Sequence, residues 1–283
     1  MELITSVNNQ RVKDIADLKQ KKYRMESGLF FAEGLRAVQE AVQYAEVTDL
    51  FFTAAEEKKL TEILNAAKEK GTRLYQADDK VMAKLSDTKT PQGVLAVIRI
   101  PEQSLQKLRP GVMLRKADKQ NQSARVETDN NAPVIILDRI QDPGNLGTMI
   151  RTADAVGALG IILLEGCVDA YSPKVVRASM GSLFHLPVVQ DIFPEEALTW
   201  CYRHGYEPAA TAMKGATNLY KADISKKMAF IFGNEANGVS EELQAAAETR
   251  LFIPMAGLAE SMNVAMAAGI VLFEGLRQRK FIR

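Results

Sequence analysis

Apolar and polar positions change rhythm three times along the chain. Residues 10–24, QRVKDIADLKQKKYR, place Val12, Ile15 and Leu18 at helical spacing, so one face can pack while the lysines point away. The pattern predicts a solvated amphipathic helix; its six basic residues leave a helix that faces RNA as the alternative. Short apolar runs then alternate with helical periods: strands at 29–34, 47–53, 73–77 and 93–100, helices at 35–45, 55–71 and 79–85. Residues 1–100 therefore predict a compact α/β unit.

Between Pro101 and Ala132 the rhythm stops. RKADKQNQSARVETDNNA (115–132) has almost no apolar content, and 101–132 predicts an exposed, mobile polar linker. Arg115, Lys116, Lys119 and Arg125 lie close together there, so a loop that contacts RNA is the second reading. From Pro133 the alternation resumes with strands at 134–138, 161–165, 186–190, 229–233 and 250–254. Helices fall near 145–156, 172–182, 194–204, 240–247 and 260–280. Continuous β-branched runs joined by helical crossovers predict a parallel sheet covered on both faces across 133–283. Ser172–Pro173 and Ser240–Glu241–Glu242 read as helix starts, a hydroxyl cap followed by proline or acids.

Composition narrows the picture little. The chain has 283 residues and a net charge of +1, so any polyanion site must be a local patch rather than a global field. Cys167 and Cys201 have no paired spacing, and His185 and His204 supply no ligand cluster, so neither a disulfide nor a metal site is expected. No apolar run approaches the roughly 18 residues of a membrane span. MELITSVNNQ has no apolar core behind a basic head, so no secretory signal is expected and the setting is taken as cytoplasmic.

Candidate chemistry sits in AFIFGNEANGVSEEL (229–243), where a buried strand runs into a glycine-flanked carboxylate. Gly233 and Gly238 have the spacing of a phosphate-binding loop, but Val239 stands in place of its lysine and Glu235 would repel a triphosphate. No two glycines are separated by one residue, so the dinucleotide fingerprint is absent as well. Glu235 suits a ligand with positive charge, and Gly233 would let backbone approach a flat ring. A tight turn before a helix is the plainer reading of the same residues.

Two further stretches carry polar residues at comparable places. LDRIQDPGNLGTMIRTADAVGALGIILLE (137–165) holds Asn145 and Arg151; IPMAGLAESMNVAMAAGIVLFEGLRQR (253–279) holds Ser261 and Asn263 at the head of a very apolar helix. Together NLGTMIRTADAVG, FGNEANGVS and IPMAGLAESMNVAMAAGI resemble, in order, the three motifs of the SpoU (TrmH-like) RNA ribose 2′-O-methyltransferases of the knotted SPOUT superfamily. Met262 stands where that family usually has leucine, a nearly volume-conserving change. Residues 1–100 resemble the ribosomal-protein-like RNA-binding domain often found in front of it.

The resemblance implies an α/β catalytic domain with a trefoil knot, S-adenosylmethionine as cofactor, no metal, a homodimer, and RNA, ribosomal rather than transfer RNA, as substrate. It implies catalytic roles for Arg151, Asn145, Glu235, Ser261 and Asn263, and cofactor contacts at Gly233, Ile253, Met255 and Met262. On this reading the strand ends in glycine so that backbone can meet the cofactor, and Glu235 orders the site or braces Arg151 as an ion pair. Arg151 corresponds to the family's proposed general base; a guanidinium keeps its proton at ordinary pH, which favours a fixed cation. A non-catalytic RNA-binding protein and a small-molecule methyltransferase are the rival classes.

Overall fold

A computed structural model describes residues 2–110, 129–212 and 215–281. The first elements are β1 (Glu2–Ile4), α1 (Gln10–Asp17), α2 (Lys21–Ser27), β2 (Leu29–Glu33), α3 (Leu35–Tyr44) and β3 (Val47–Phe52). Then come α4 (Glu57–Glu69), β4 (Arg73–Ala77), α5 (Asp79–Leu85), β5 (Val94–Arg99), β6 (Val134–Asp138) and α6 (Pro143–Ala155). The chain continues through β7 (Gly160–Leu164), α7 (Pro173–Ala178), β8 (Val188–Ile192), α8 (Pro194–Arg203), β9 (Glu207–Thr211) and β10 (Thr217–Asn218). It closes with β11 (Met228–Gly233), α9 (Glu241–Ala246), β12 (Thr249–Phe252) and α10 (Val264–Phe281). Among the described residues no helix is long and apolar enough to cross a membrane. Cys167 and Cys201 are free thiols, which burial pushes up to about 11 and about 12.

Two compact units result. The first comprises Met1–Pro101 and, from much later in the chain, Asp169–Phe184; the second comprises Glu102–Val168 and His185–Arg283. In the first unit the strand order is β1-β4-β3-β5-β2, with β5 antiparallel to β2 and β3 and the other pairs parallel. Val12, Ile15 and Leu18 are buried in its core beside Phe51 and Tyr75, whose ring centroids lie 4.8 Å apart.

The single basic helix expected over 10–24 is two helices. The break falls at Leu18–Gln20, where the Leu18 carbonyl leaves the helical ladder and accepts from Arg24 Nη1 at 2.6 Å. Nor does the basic run form one outward face. Arg11 donates to the Tyr75 hydroxyl and lies 3.2 Å from Asp49, while Lys19 donates to the carbonyls of Lys84 (2.9 Å) and Ser86 (2.6 Å). Arg24 is buried against Asp169, with Nε at 2.9 Å and Nη2 at 2.5 Å from Oδ2. Asp169 Oδ1 in turn accepts from the Tyr171 N–H, and the Tyr171 ring packs 4.9 Å from Phe30. Arg177 adds ion pairs of 2.9 Å to Glu33 and to Asp87. These contacts make Asp169–Phe184 part of the first unit, which the strand–helix alternation could not reveal.

The second unit is built on a seven-stranded sheet, order β10-β12-β9-β11-β6-β7-β8, with every pair parallel. All residues of β6, β7 and β11 are buried, as a sheet covered on both faces requires. Residues of α8 and α9 cover Val134, Ile136, Ala229 and Ile231; α10 packs along α6 on the other side, with Gly275 close over the Phe230 ring. Two of the seven strands, β9 and β10, escape the periodicity. EPAAT in β9 has a proline, two alanines and one β-branched residue, so its position between β11 and β12 leaves no mark in the pattern.

The expected linker is only partly a linker. Leu105, Leu108 and Ala132 are buried in the second unit's core, and Gln103 accepts from the Gln190 N–H. The 111–128 segment, with Arg115, Lys116, Lys119 and Arg125, lies outside the described residues.

Topology then selects a place for chemistry. From β6 the chain moves outward through β7 and β8, and from the neighbouring β11 it moves outward on the other side to β12. The loops leaving β6 and β11 therefore diverge at adjacent strand ends, where open α/β sheets bind ligands.

Replacing Arg24 by alanine leaves Asp169 buried without its cation. The expected cost is about 3–5 kcal/mol in urea unfolding. The double change Arg24→Met with Asp169→Leu should recover most of it; a loss below about 1 kcal/mol in the single variant would mean the pair behaves as an exposed one.

Candidate active site

β6 ends at Asp138, directly opposite Gly233 of β11. Asp138 is buried and receives Arg139 Nε at 2.8 Å, Arg139 Nη2 at 3.1 Å and the Ser240 N–H at 2.8 Å. It thus ties the exit of its own strand to the start of α9. Four residues on, Asp142 caps α6 by accepting from the Asn145 N–H at 2.8 Å, with Pro143 in the first turn. The aspartate–proline pair is a start signal two residues earlier than the helix read from periodicity. Asn145 consequently sits inside the first turn of α6.

The loop after β11 closes on itself. A Cβ at Gly233 would fall inside the backbone of Gly238 and Val239. The return of its own loop therefore requires glycine at this position, a steric demand separate from any backbone contact with a cofactor. Asn234 holds the turn: its Oδ1 accepts from the N–H groups of Ala236 (3.0 Å) and Asn237 (3.1 Å), and its Nδ2 donates to the Arg139 carbonyl at 2.9 Å. No sequence feature singled out Asn234, although an asparagine that folds back on its own turn is a known turn device.

Glu235 is presented at the apex. Its carboxylate accepts from Asn145 Nδ2 at 3.0 Å, the Asp142 N–H at 3.2 Å and the Gln141 N–H at 3.3 Å. Burial opposes the charge, but donation from Asn145 and from the backbone of Glu235, Asp142 and Gln141 outweighs it and holds the carboxyl below its ordinary value. A carboxylate so held is a weak proton acceptor.

The third motif joins at the head of α10. Asn263 Oδ1 accepts from the N–H groups of Ala265 (2.9 Å) and Met266 (3.2 Å), so the helix begins at residue 264 rather than 260. Asn263 Nδ2 donates to Asn145 Oδ1 at 2.9 Å. Asn263, Asn145 and Glu235 thus form one hydrogen-bonded line across three separate segments.

Arg151 and Ser261 are not brought into this line; both are exposed. Six residues after Asn145, Arg151 is turned by about 240° around α6 and lies about 9 Å further along it. The suggested Glu235–Arg151 ion pair does not form: Glu235 is occupied by an amide and two backbone groups. Ile253, Met255 and Met262 are half-buried in the segment between β12 and α10, beside exposed residues 256–261. Among the described residues no cluster of three or more His, Cys, Asp or Glu is arranged for a metal ion.

Two outcomes follow from this geometry. Gly233→Ala should lower the melting temperature of the ligand-free protein, because the loop cannot close over a Cβ; an unchanged melt would remove the steric argument. Glu235→Gln should destabilise at pH 7. A carboxyl whose folded value is depressed contributes stability above its unfolded value, and that stability is lost as pH falls through the folded value. The difference in melting temperature between wild type and variant should therefore close on acidification, and a gap that persists to pH 3 would contradict the network.

A family model described as the SpoU rRNA Methylase family matches residues 132–273, and one described as an MRM3-like substrate binding domain matches residues 9–96. A 23S rRNA (guanosine(2553)-2′-O)-methyltransferase of Bacillus subtilis is 32% identical over 96% of this chain and 98% of its own. A 23S rRNA (uridine(2479)-2′-O)-methyltransferase of Streptomyces viridochromogenes is 31% identical over 98% of this chain and 92% of its own. Among solved structures, an AdoMet-bound rRNA methyltransferase from Sinorhizobium meliloti superimposes with a TM-score of 0.83 at 32% identity, covering 99% of this chain and 98% of that one.

Proposed function

The chain belongs to the SpoU rRNA methylase family, and on that footing we propose that it transfers a methyl group from S-adenosylmethionine to a ribose 2′-hydroxyl of ribosomal RNA. The observation that carries the reading is the line Asn263–Asn145–Glu235, which joins the third motif to the first two at the adjacent ends of β6 and β11. The two 23S rRNA relatives act on a guanosine and on a uridine. Chemistry common to them addresses the sugar rather than the base, and only RNA offers a 2′-hydroxyl.

The residues present suit the cofactor. Half-buried Ile253, Met255 and Met262 offer an apolar lining for adenine and ribose, and Glu235 supplies a fixed negative charge for a cationic ligand. When bound, S-adenosylmethionine supplies a methyl group already activated by its sulfonium charge. The protein's own task is to position the ribose in line, which is worth several kcal/mol in well-oriented systems. Asn145 and Glu235 order the target ribose in this reading, Ser261 offers a hydroxyl, and Arg151 acts as a fixed cation on the neighbouring phosphate and the developing alkoxide.

A homodimer and the family's trefoil knot belong to the same proposal, as does a cytoplasmic setting. Support for the dimer comes from α10, where Met266 is 62% and Phe273 51% exposed on a helix packed along α6, which carries Arg151. The unit matched by the substrate-binding model is the proposed RNA-capturing part.

The test is to incubate pure protein with labelled S-adenosylmethionine and total RNA from cells lacking the gene, then map the modified ribose. Label in ribosomal RNA is expected. Arg151→Ala should keep its cofactor affinity by calorimetry while single-turnover transfer falls about 10²–10³-fold. Label confined to transfer RNA would overturn the substrate, and no label in any RNA would overturn the activity.

A further inference from the structure

We infer that Asn263 is a positioning residue that fixes the direction of the hydrogen bonds running through Asn145 and thereby keeps Glu235 an ionised acceptor. Its consequence for rate rests on the methyltransferase reading; the geometry does not. The starting point is an ambiguity in asparagine itself. Its side chain ends in one oxygen and one amino group of nearly the same shape, so Asn145 alone could turn either toward Glu235.

The ambiguity is removed from both ends by groups that have no choice. The N–H groups of Ala265 and Met266 lie in the first turn of α10, where no helical carbonyl is available to them. Only an oxygen can serve them, and Asn263 Oδ1 does so at 2.9 and 3.2 Å. The Asn263 amino group is therefore turned outward, onto Asn145 Oδ1 at 2.9 Å. Asn145 must then offer its own amino group to Glu235, at 3.0 Å. At the far end the N–H groups of Asp142 and Gln141 also point at the carboxylate, and main-chain N–H groups only donate.

Every group facing Glu235 in this network is a donor, so the network favours the ionised carboxylate over the protonated acid. The cap of α10 thus sets the charge state of a residue on another loop, through an amide 118 residues away from it in sequence. Glu235 then serves as a fixed negative charge and not as the group that takes the hydroxyl proton.

Capping and relay can be separated by substitution. Asn263→Ser keeps a capping oxygen but is too short to reach Asn145. Asn263→Asp keeps the cap but cannot donate, and its carboxylate should draw the Asn145 amino group to itself and turn Asn145 Oδ1 against Glu235. Asn263→Ala removes both functions. Three quantities are read in the full-length protein: the melting temperature, the ¹³C titration of the Glu235 carboxyl (assigned against Glu235→Gln), and the pH profile of single-turnover methyl transfer to RNA.

The expected pattern is a near-wild-type melting temperature for Asn263→Ser and Asn263→Asp and a lower one for Asn263→Ala. The Glu235 titration midpoint should rise in the serine variant and rise further in the aspartate variant. The acid limb of the rate profile should move up with it, so transfer lost at acid pH returns as pH rises. Wild-type midpoints in both the serine and aspartate variants would reduce Asn263 to a helix cap and overturn the inference. A moved midpoint with an unmoved rate profile would overturn its role in the reaction. A moved midpoint in a protein whose wild type transfers no methyl group would sink the methyltransferase reading and leave the relay standing.

Discussion

An asparagine side chain can give one hydrogen bond and take another at the same moment, and the site depends on Asn145 doing both. Its oxygen is held from the head of α10 and its amino group holds the loop after β11. Those partners are 118 and 90 residues away in sequence, so the line exists only because the parallel sheet places β6 and β11 side by side. Everything nearby is arranged to keep that line straight. Asp142 fixes the backbone of Asn145, Asn234 closes the loop that carries Glu235, and Gly233 leaves room for the loop to return. The network lies largely toward solvent, where single hydrogen bonds contribute little net stability. Its rigidity comes instead from termination in backbone N–H groups, which cannot reorient without unwinding a helix or a turn.

Much of this was legible in the chain. Fully apolar runs such as VIIL and FIF become central strands because both sheet faces are covered, and a run of that kind needs no partner to be recognised. Asn145, Glu235 and Asn263 stand out for a related reason: each is polar at the edge of an apolar stretch, where it must find partners. What periodicity could not show is anything decided by a distant neighbour. β9 is a strand because β11 and β12 flank it, not because EPAAT favours one. Helix 10–24 breaks because Arg24 turns back on Leu18. That Gly233 must be glycine for its own loop to return cannot be seen until the course of residues 238–239 is known.

The basic run near the start shows the same limit in its electrostatic form. Counting cations treats every guanidinium and ammonium group as available to a polyanion. Arg11, Lys19 and Arg24 are instead engaged with Tyr75, with two carbonyls and with Asp169. Their charge is used to hold elements of one unit together, so a nucleic acid would meet a weaker and differently placed field than the sequence advertises.

The insertion of Asp169–Phe184 into the first unit has a consequence for the order of events during synthesis. The ribosome releases residues 1–101 well before residue 169 exists. Until then Phe30 lacks the rings of Tyr171 and Phe184, and Arg24 has no anion beside it. Domains generally fold as units, the N-terminal one first as it emerges. Here the first unit cannot be completed in that order: its last helix arrives only after two strands of the second sheet have been translated. The nascent protein therefore carries an unfinished apolar strip through much of its elongation, and the stretch that seals it is encoded in the middle of the other unit.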